Sequence, residues 1–129
     1  MLINVSNHPS TKWSPQQLEA ARRLSGCGIV IDVPHPPVPP EADEQTVARL
    51  AWEVFQEIAA RRPHQGVGCG TFLVHLMGEA GLVDYLNKIL YLHDIRAVYS
   101  TTAREVVEQS DGTKTSRFHF VRFRRYLSI

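Results

Sequence analysis

Short apolar runs that alternate with helical segments constrain the fold of this chain more than any other feature. The four strand-like runs occupy residues 2–6, 28–34, 70–79 and 95–100. The segments with helical periodicity between them occupy residues 14–24, 41–62 and 80–94. Strands that alternate with helices pair in parallel through right-handed crossovers. The pattern therefore predicts a mainly parallel sheet with helices on both faces.

The first helix carries clear start signals. Ser14 is a typical N-cap residue, and Pro15 suits the first helical position because its missing N–H would have no partner there. We expect Leu18, Ala21 and Leu24 to form the face of this helix that packs on the sheet.

The C-terminal segment predicts a β-hairpin. Asp111 and Gly112 lie between two strand-like runs, residues 104–109 and 115–126, and Asp-Gly favours a tight turn at such a place. The chain has 129 residues, which is a common length for one domain. We therefore predict a single domain, residues 1–129, of α/β class. It would be a three-layer, Rossmann-like fold with a mainly parallel sheet and a C-terminal antiparallel hairpin.

Positive charge is concentrated near the C-terminus. Seven of the 14 Lys and Arg residues fall within residues 96–129, which carry only three acidic residues. An anionic partner would be expected there, but a net charge of +1 argues against direct binding of long DNA. The sequence has no apolar run of membrane-spanning length and no signal peptide, which predicts a cytoplasmic protein with no membrane partner. We expect Cys27 and Cys69 to be reduced thiols.

Candidate site residues lie where the predicted parallel strands end, because ligands of such sheets bind at the carboxyl edge. The strand ends carry hydroxyl, amide, imidazole and guanidinium groups that suit a phosphate or a sugar. These residues are Ser6, Asn7, His8, His35, Met77, Gly78, Glu79, Ser100, Thr101, Thr102 and Arg104. No metal-ligand spacing, dinucleotide fingerprint or Walker loop is present, so we expect neither a metal nor a cofactor.

Two features have simpler structural interpretations. His75 lies inside the third strand and is expected to be a hydrogen-bonded core residue. In the hairpin, Arg117, Arg122 and Arg124 could protect an edge strand from aggregation while the phenylalanines between them pack on the core.

Three stretches resemble a known family. They are SNHPSTKWSPQQ near the start, MGE after the third strand, and YSTTAREVVEQSDGTKTSRFHFVRFRRY at the end. Together they resemble the small standalone CRISPR-associated proteins with a CARF-like Rossmann fold that act as ring nucleases. The resemblance implies a homodimer that binds cyclic oligoadenylate, with cyclic tetraadenylate as the expected ring, and cleaves it.

The resemblance also suggests roles for the strand-end residues. Cleavage without a metal requires the ribose 2′-OH to attack the adjacent phosphorus, which leaves a 2′,3′-cyclic phosphate. We expect catalytic roles for His8, Thr102 and Arg104. We expect ligand binding by six of the other strand-end residues, which are Ser6, Asn7, Gly78, Glu79, Ser100 and Thr101.

Other functions remain open at this stage. One is a non-catalytic sensor or sponge for the same ligand. Another is a nucleoside- or nucleotide-processing enzyme that uses Glu79 as nucleophile or acid. Binding of single-stranded nucleic acid by the arginine-aromatic hairpin is a weaker possibility.

Overall fold

The structure of the chain, a computed structural model, describes residues 1–64 and 68–128. Its α-helices and strands follow the order β1 (Leu2–Val5), α1 (Pro15–Ser25), β2 (Val30–Asp32), α2 (Glu44–Ala60), β3 (Leu73–Leu76), α3 (Ala80–Leu92), β4 (Arg96–Glu108) and β5 (Lys114–Arg125). A single 3₁₀ turn, Ser10–Lys12, precedes α1. Among these described residues, no helix combines the length and the apolar character needed to cross a membrane.

The strands form one sheet in the order β2-β1-β3-β4-β5. β1 to β4 are mutually parallel, whereas β5 runs antiparallel to β4. The predictions of an α/β protein, a mostly parallel sheet and a C-terminal hairpin are therefore confirmed. After β1 the chain first adds β2 on one side and then crosses to add β3 on the other. The carboxyl ends of β1 and β3 thus flank the point where the direction of winding reverses, which is the usual ligand position in open α/β sheets.

One face of the sheet is covered by α2 and α3. Ile3 and Val5 of β1, with Val74 and Leu76 of β3, are buried against the apolar stripes of these helices. The stripes recur at intervals of three and four residues, as helical periodicity requires. α2 begins at the N-cap Asp43, whose carboxylate accepts a hydrogen bond from the backbone N–H of Thr46.

The other face is covered by α1, in an orientation that differs from the prediction. The N-cap is Ser14, as predicted, and its hydroxyl accepts a hydrogen bond from the backbone N–H of Gln17 over 3.1 Å. The buried residues of the helix are Gln17, Ala21 and Ser25, whereas Leu18 is exposed. Trp13 and Ala21 pack together with Leu2 of the sheet, so the helix presents its small and polar side to β1.

β4 is longer than the sequence predicted. Its parallel pairing with β3 ends at Val98, but the strand continues because β5 pairs with it as far as Glu108. Ser100 was expected to end the fourth strand, with Thr101 and Thr102 following it, and this prediction is wrong because all three lie inside a continuous strand. The outer part of β4 and β5 therefore projects past the sheet as a two-stranded ribbon.

A β-bulge in the hairpin changes which aromatic residues share a face. Thr101 pairs with Arg122, but Thr102 pairs with Phe120, so Val121 is an extra residue in β5. Without the bulge, strict alternation would separate Phe123 from Phe120 and Phe118, because a one-residue shift reverses the side-chain direction. With it, Phe120 and Phe123 lie on one face with ring centroids 4.9 Å apart, and Val121 is exposed.

The prediction that both cysteines are reduced thiols is wrong. Cys27, after α1, and Cys69, before β3, form a disulfide with a Cα–Cα distance of 5.3 Å. Backbone contacts hold the two loops together, since the N–H of Thr71 donates to the carbonyl of Ser25 over 2.7 Å. Gly70 permits this approach, because its φ is +64° and a Cβ there would collide with Ser25. Because the two cysteines are 42 residues apart in the chain, their proximity could not be predicted from the sequence.

Candidate functional site

An open pocket of about 560 Å³ lies at the carboxyl ends of β1 and β3. It brings together most of the residues that were expected at strand ends. Seven of them line it: Ser6, Asn7, His8, Met77, Gly78, Ser100 and Thr102. The remaining walls come from the start of α1 and from the hairpin, so the pocket is bounded by elements distant in sequence.

Four predicted strand-end residues lie outside the pocket lining, namely His35, Glu79, Thr101 and Arg104. The imidazole of His35 lies against Gly78, where a Cβ would collide with it. The carboxylate of Glu79 is the N-cap of α3 and accepts hydrogen bonds from the backbone N–H groups of Leu82 and Gly81, which lower its pKa. Thr101 donates its hydroxyl to the carbonyl of Arg122. Arg104 lies two pairs of hairpin residues beyond Thr102 and donates from Nε and Nη2 to Ser116 Oγ, over 3.0 and 2.8 Å.

A row of polar residues that was not predicted from the sequence to be functional lies beneath the pocket, and its member His75 lines the pocket. The sheet register aligns Asn4 with Asp32 on one side and with His75 on the other. Residues aligned in neighbouring parallel strands point to the same face, so their side chains can meet. Asn4 Nδ2 donates to Asp32 Oδ1 over 2.8 Å, and Asn4 Oδ1 lies 2.8 Å from His75 Nδ1.

The hydrogen bonds fix the orientation of each group in this row. Asn4 Nδ2 donates to two oxygens, Asp32 Oδ1 and the carbonyl of His8, so Asn4 Oδ1 must accept from His75 Nδ1–H. In neutral His75 the other nitrogen, Nε2, is then an acceptor. It lies 3.1 Å from Ser100 Oγ, which must donate to it. The hydroxyl of Ser100 also lies 3.0 Å from the weakly accepting sulfur of Met77.

Burial keeps His75 neutral. The residue is 2% exposed, and desolvation lowers its pKa to about 4, with a smaller contribution from the nearby charge of His8. The rings of Trp13 and Phe123 pack edge-on against the imidazole, with centroid distances of 5.2 and 5.6 Å. The expectation of a satisfied core histidine is therefore confirmed, and the same side chain forms part of the pocket wall. Since the proton of Ser100 points to His75, its lone pairs are free to accept hydrogen bonds from the pocket side.

The loop after β1 is held in place by its backbone. The carbonyl of His8 accepts from Asn4 Nδ2 over 2.9 Å and from the indole N–H of Trp13 over 3.2 Å. The backbone N–H of His8 donates to Ser6 Oγ over 3.2 Å. These bonds present the exposed His8 side chain to the pocket.

The start of α1 makes one side of the pocket positive. Lys12 and Ser14 line the pocket next to the helix N-terminus, where the backbone dipoles favour negative charge. Within the described residues, Lys12 forms no ion pair. Nor does any group of three or more His, Cys, Asp and Glu side chains there have a metal-binding arrangement.

The hairpin supplies an aromatic wall opposite α1. Phe118 and Phe120 both line the pocket, but Phe120 is 8% exposed whereas Phe118 is 69% exposed. The expectation that all of these phenylalanines pack on the core is wrong for Phe118, because the ribbon carries it past the end of the sheet. An exposed ring in the pocket wall is a surface on which a planar ligand can stack.

A second cavity, of about 760 Å³, lies between α3 and the ends of β4 and β5. It is larger, but it is far from the carboxyl edge at β1 and β3 and contains none of the predicted site residues. Its charged residues include Asp84 and Lys88, which form an ion pair with each other over 2.9 Å. The smaller pocket is therefore the better candidate.

Comparison with known proteins places the chain in a family. Residues 1–124 match the family described as Uncharacterized protein MJ1673. Because the match extends over almost all of the 129 residues, the chain belongs to this family. No curated protein and no solved structure gives a match.

Proposed function

We propose that this chain adopts a Rossmann-like, CARF-like fold and binds cyclic oligoadenylate in the pocket at the ends of β1 and β3. The bound ring is opened without a metal ion. One observation carries this proposal: a single pocket combines a lysine at a helix N-terminus, an exposed aromatic ring, and a serine oriented by a buried histidine. A nucleotide phosphodiester has complementary groups, namely an anionic phosphate, a planar base and a ribose hydroxyl.

The phosphate would bind on the α1 side. Lys12 supplies a positive charge there, and the hydroxyls of Ser14 and Thr102 can donate to phosphoryl oxygens. Charge on these oxygens increases as the 2′-oxygen attacks phosphorus, so a lysine at this position stabilises the transition state more than the ground state.

The attacking hydroxyl would be positioned by Ser100. Since Ser100 donates its proton to His75 Nε2, its oxygen can accept a hydrogen bond from the ribose 2′-OH. His8 is the exposed imidazole in the pocket and would take the proton as the bond from the 2′-oxygen to phosphorus forms. The bond from phosphorus to the 5′-oxygen then breaks, the 5′-oxygen gains a proton, and the product carries a 2′,3′-cyclic phosphate.

A homodimer would accommodate the whole ring. A ring of several nucleotides exceeds one pocket of about 560 Å³, and a two-fold axis through the ring would present the same pocket to each half. The projecting hairpin is suited to such an interface because it exposes Val106, Phe118 and Val121. Arg104 lies on this ribbon beyond the pocket, where it would contact the part of the ring that extends outwards.

The test is to incubate the purified protein with cyclic tetraadenylate or cyclic hexaadenylate in EDTA and to separate the products by chromatography. We expect linear products that end in a 2′,3′-cyclic phosphate. Tight binding with an unchanged ring would exclude the cleavage step and support a sensor or sponge. Neither binding nor turnover with both rings would overturn the proposal.

A further inference from the structure

Gln17 differs from the other buried polar residues of the described chain. Four polar residues are classed as buried, and three of them, Asn4, Ser25 and His75, form hydrogen bonds through their side chains. Gln17 is 7% exposed, yet its side-chain amide forms no hydrogen bond with any described residue. A side chain that is mostly buried but whose amide has no protein partner leaves that amide to bind water or a ligand.

The position of Gln17 indicates where its partner would come from. Gln17 lines the pocket at the ends of β1 and β3, on the first turn of α1. Among side-chain polar atoms of the described residues, only His35 Nε2 is both sealed from solvent and unbonded. The amide of Gln17 is therefore still accessible from the pocket, although the rest of the residue is covered. Its partner would be a ligand.

The chemistry of an amide restricts that ligand. A glutamine side chain offers an oxygen that needs a donor and a nitrogen that needs an acceptor. A phosphodiester has no donor and would leave the oxygen unpaired. A group with a donor directly beside an acceptor satisfies both atoms, and adenine has such an edge, where the 6-amino group adjoins a ring nitrogen. Glutamine pairs with adenine in this way in protein–DNA complexes.

We infer that Gln17 is the residue that selects adenine, by accepting from the 6-amino group and donating to the adjacent ring nitrogen. This inference rests on the proposed binding of cyclic oligoadenylate and adds the base specificity of the same pocket. Phe118 and Phe120 would hold the plane of the base, which leaves its edge for Gln17. Lys12 and the hydroxyl groups would hold the phosphate.

The experiment compares two rings by isothermal titration calorimetry: cyclic tetraadenylate and the same ring built from purine riboside, which lacks the 6-amino group. Loss of one matched hydrogen bond should weaken binding to the wild-type protein about tenfold. The Gln17→Met variant should bind both rings equally. Gln16→Met is the matched control, because Gln16 is the adjacent glutamine and is exposed, and it should discriminate like the wild type.

The outcomes separate the two proposals. If the wild-type protein binds both rings equally well, the role of Gln17 is overturned while the binding function stands. The same holds if Gln17→Met still discriminates about tenfold. If the wild-type protein binds neither ring, both proposals fail. The wild-type comparison remains decisive even if Gln17→Met does not fold, which thermal unfolding would reveal.

Discussion

The imidazole Nδ1 of His75 donates to Oδ1 of Asn4 over 2.8 Å, although 71 positions separate the two residues in the chain. The parallel register places them side by side in β3 and β1. Asn4 also donates a hydrogen bond to Asp32 of β2, and His75 accepts one from Ser100 of β4. A polar row therefore crosses four strands beneath the pocket and fixes the direction of each hydrogen bond in it.

The buried His75 predicts a pH dependence of stability. Its pKa is about 4 in the folded state, below the usual histidine value of about 6.5, so the unfolded chain binds more protons between these values. The free energy of unfolding should therefore fall as the pH is lowered from about 6.5 towards 4. The expected loss is on the order of 2 kcal/mol between pH 7.5 and 5. Urea unfolding at these two pH values measures it.

The variant His75→Gln is the control for this effect. A glutamine can donate to Asn4 and accept from Ser100 but does not titrate, so its stability should change little over the same range. The carboxylates with lowered pKa, such as Glu79, affect stability mainly below pH 5 and do not obscure the comparison. An equal loss in wild-type and variant proteins would show that His75 is not the titrating group.

The polar row beneath the pocket could have been recognised in the sequence. Asn4, Asp32 and His75 are each the third residue of a short, otherwise apolar strand. Three such residues at one depth indicate a polar row, but Asn4 and Asp32 lie inside their strands, and the rule that ligands bind at strand ends does not select such residues. The helices and parallel strands were predictable because their periodicity is local. The continuation of β4, the bulge at Val121 and the disulfide were not, since they depend on pairing between distant segments.

Ser100→Ala should impair ring cleavage. The substitution removes the oxygen that positions the 2′-OH while leaving Lys12 and the aromatic wall unchanged, so turnover should fall at least about 100-fold and affinity much less. Single-turnover kinetics on cyclic tetraadenylate measure the rate. Ser110→Ala, at the exposed turn of the hairpin, is the matched control and should cleave at the wild-type rate. Normal cleavage by Ser100→Ala would exclude the positioning role.

Lys12→Ala should weaken ring binding. Hydrogen bonds to charged groups contribute about 1.5–3 kcal/mol, so the dissociation constant should rise at least about tenfold. The difference between wild-type and variant proteins should diminish at high salt, because salt screens the lysine–phosphate attraction. Lys114→Ala, in an exposed residue at the start of β5, should bind normally. If Lys114→Ala loses as much affinity as Lys12→Ala, the phosphate does not bind specifically beside α1.

Reduction of the Cys27–Cys69 disulfide should destabilise the fold without altering the site. A cross-link between residues 42 positions apart restricts the unfolded chain and stabilises the native state by about 4 kcal/mol. Urea unfolding with and without reductant measures this loss, and the double variant Cys27→Ser, Cys69→Ser should not respond to reductant. Two titratable thiols in unreduced, unfolded protein would contradict the pairing.

Titration of ¹⁵N-labelled protein with cyclic tetraadenylate, followed by NMR, tests most directly whether the pocket binds the ring. The account predicts the largest changes in amide shift at Ser6 to His8, Lys12 to Gln17 and Phe118 to Phe120, with small changes around Asp84 and Lys88. Absence of shifts at saturating ligand concentration, or changes confined to the cavity beside α3, would contradict it.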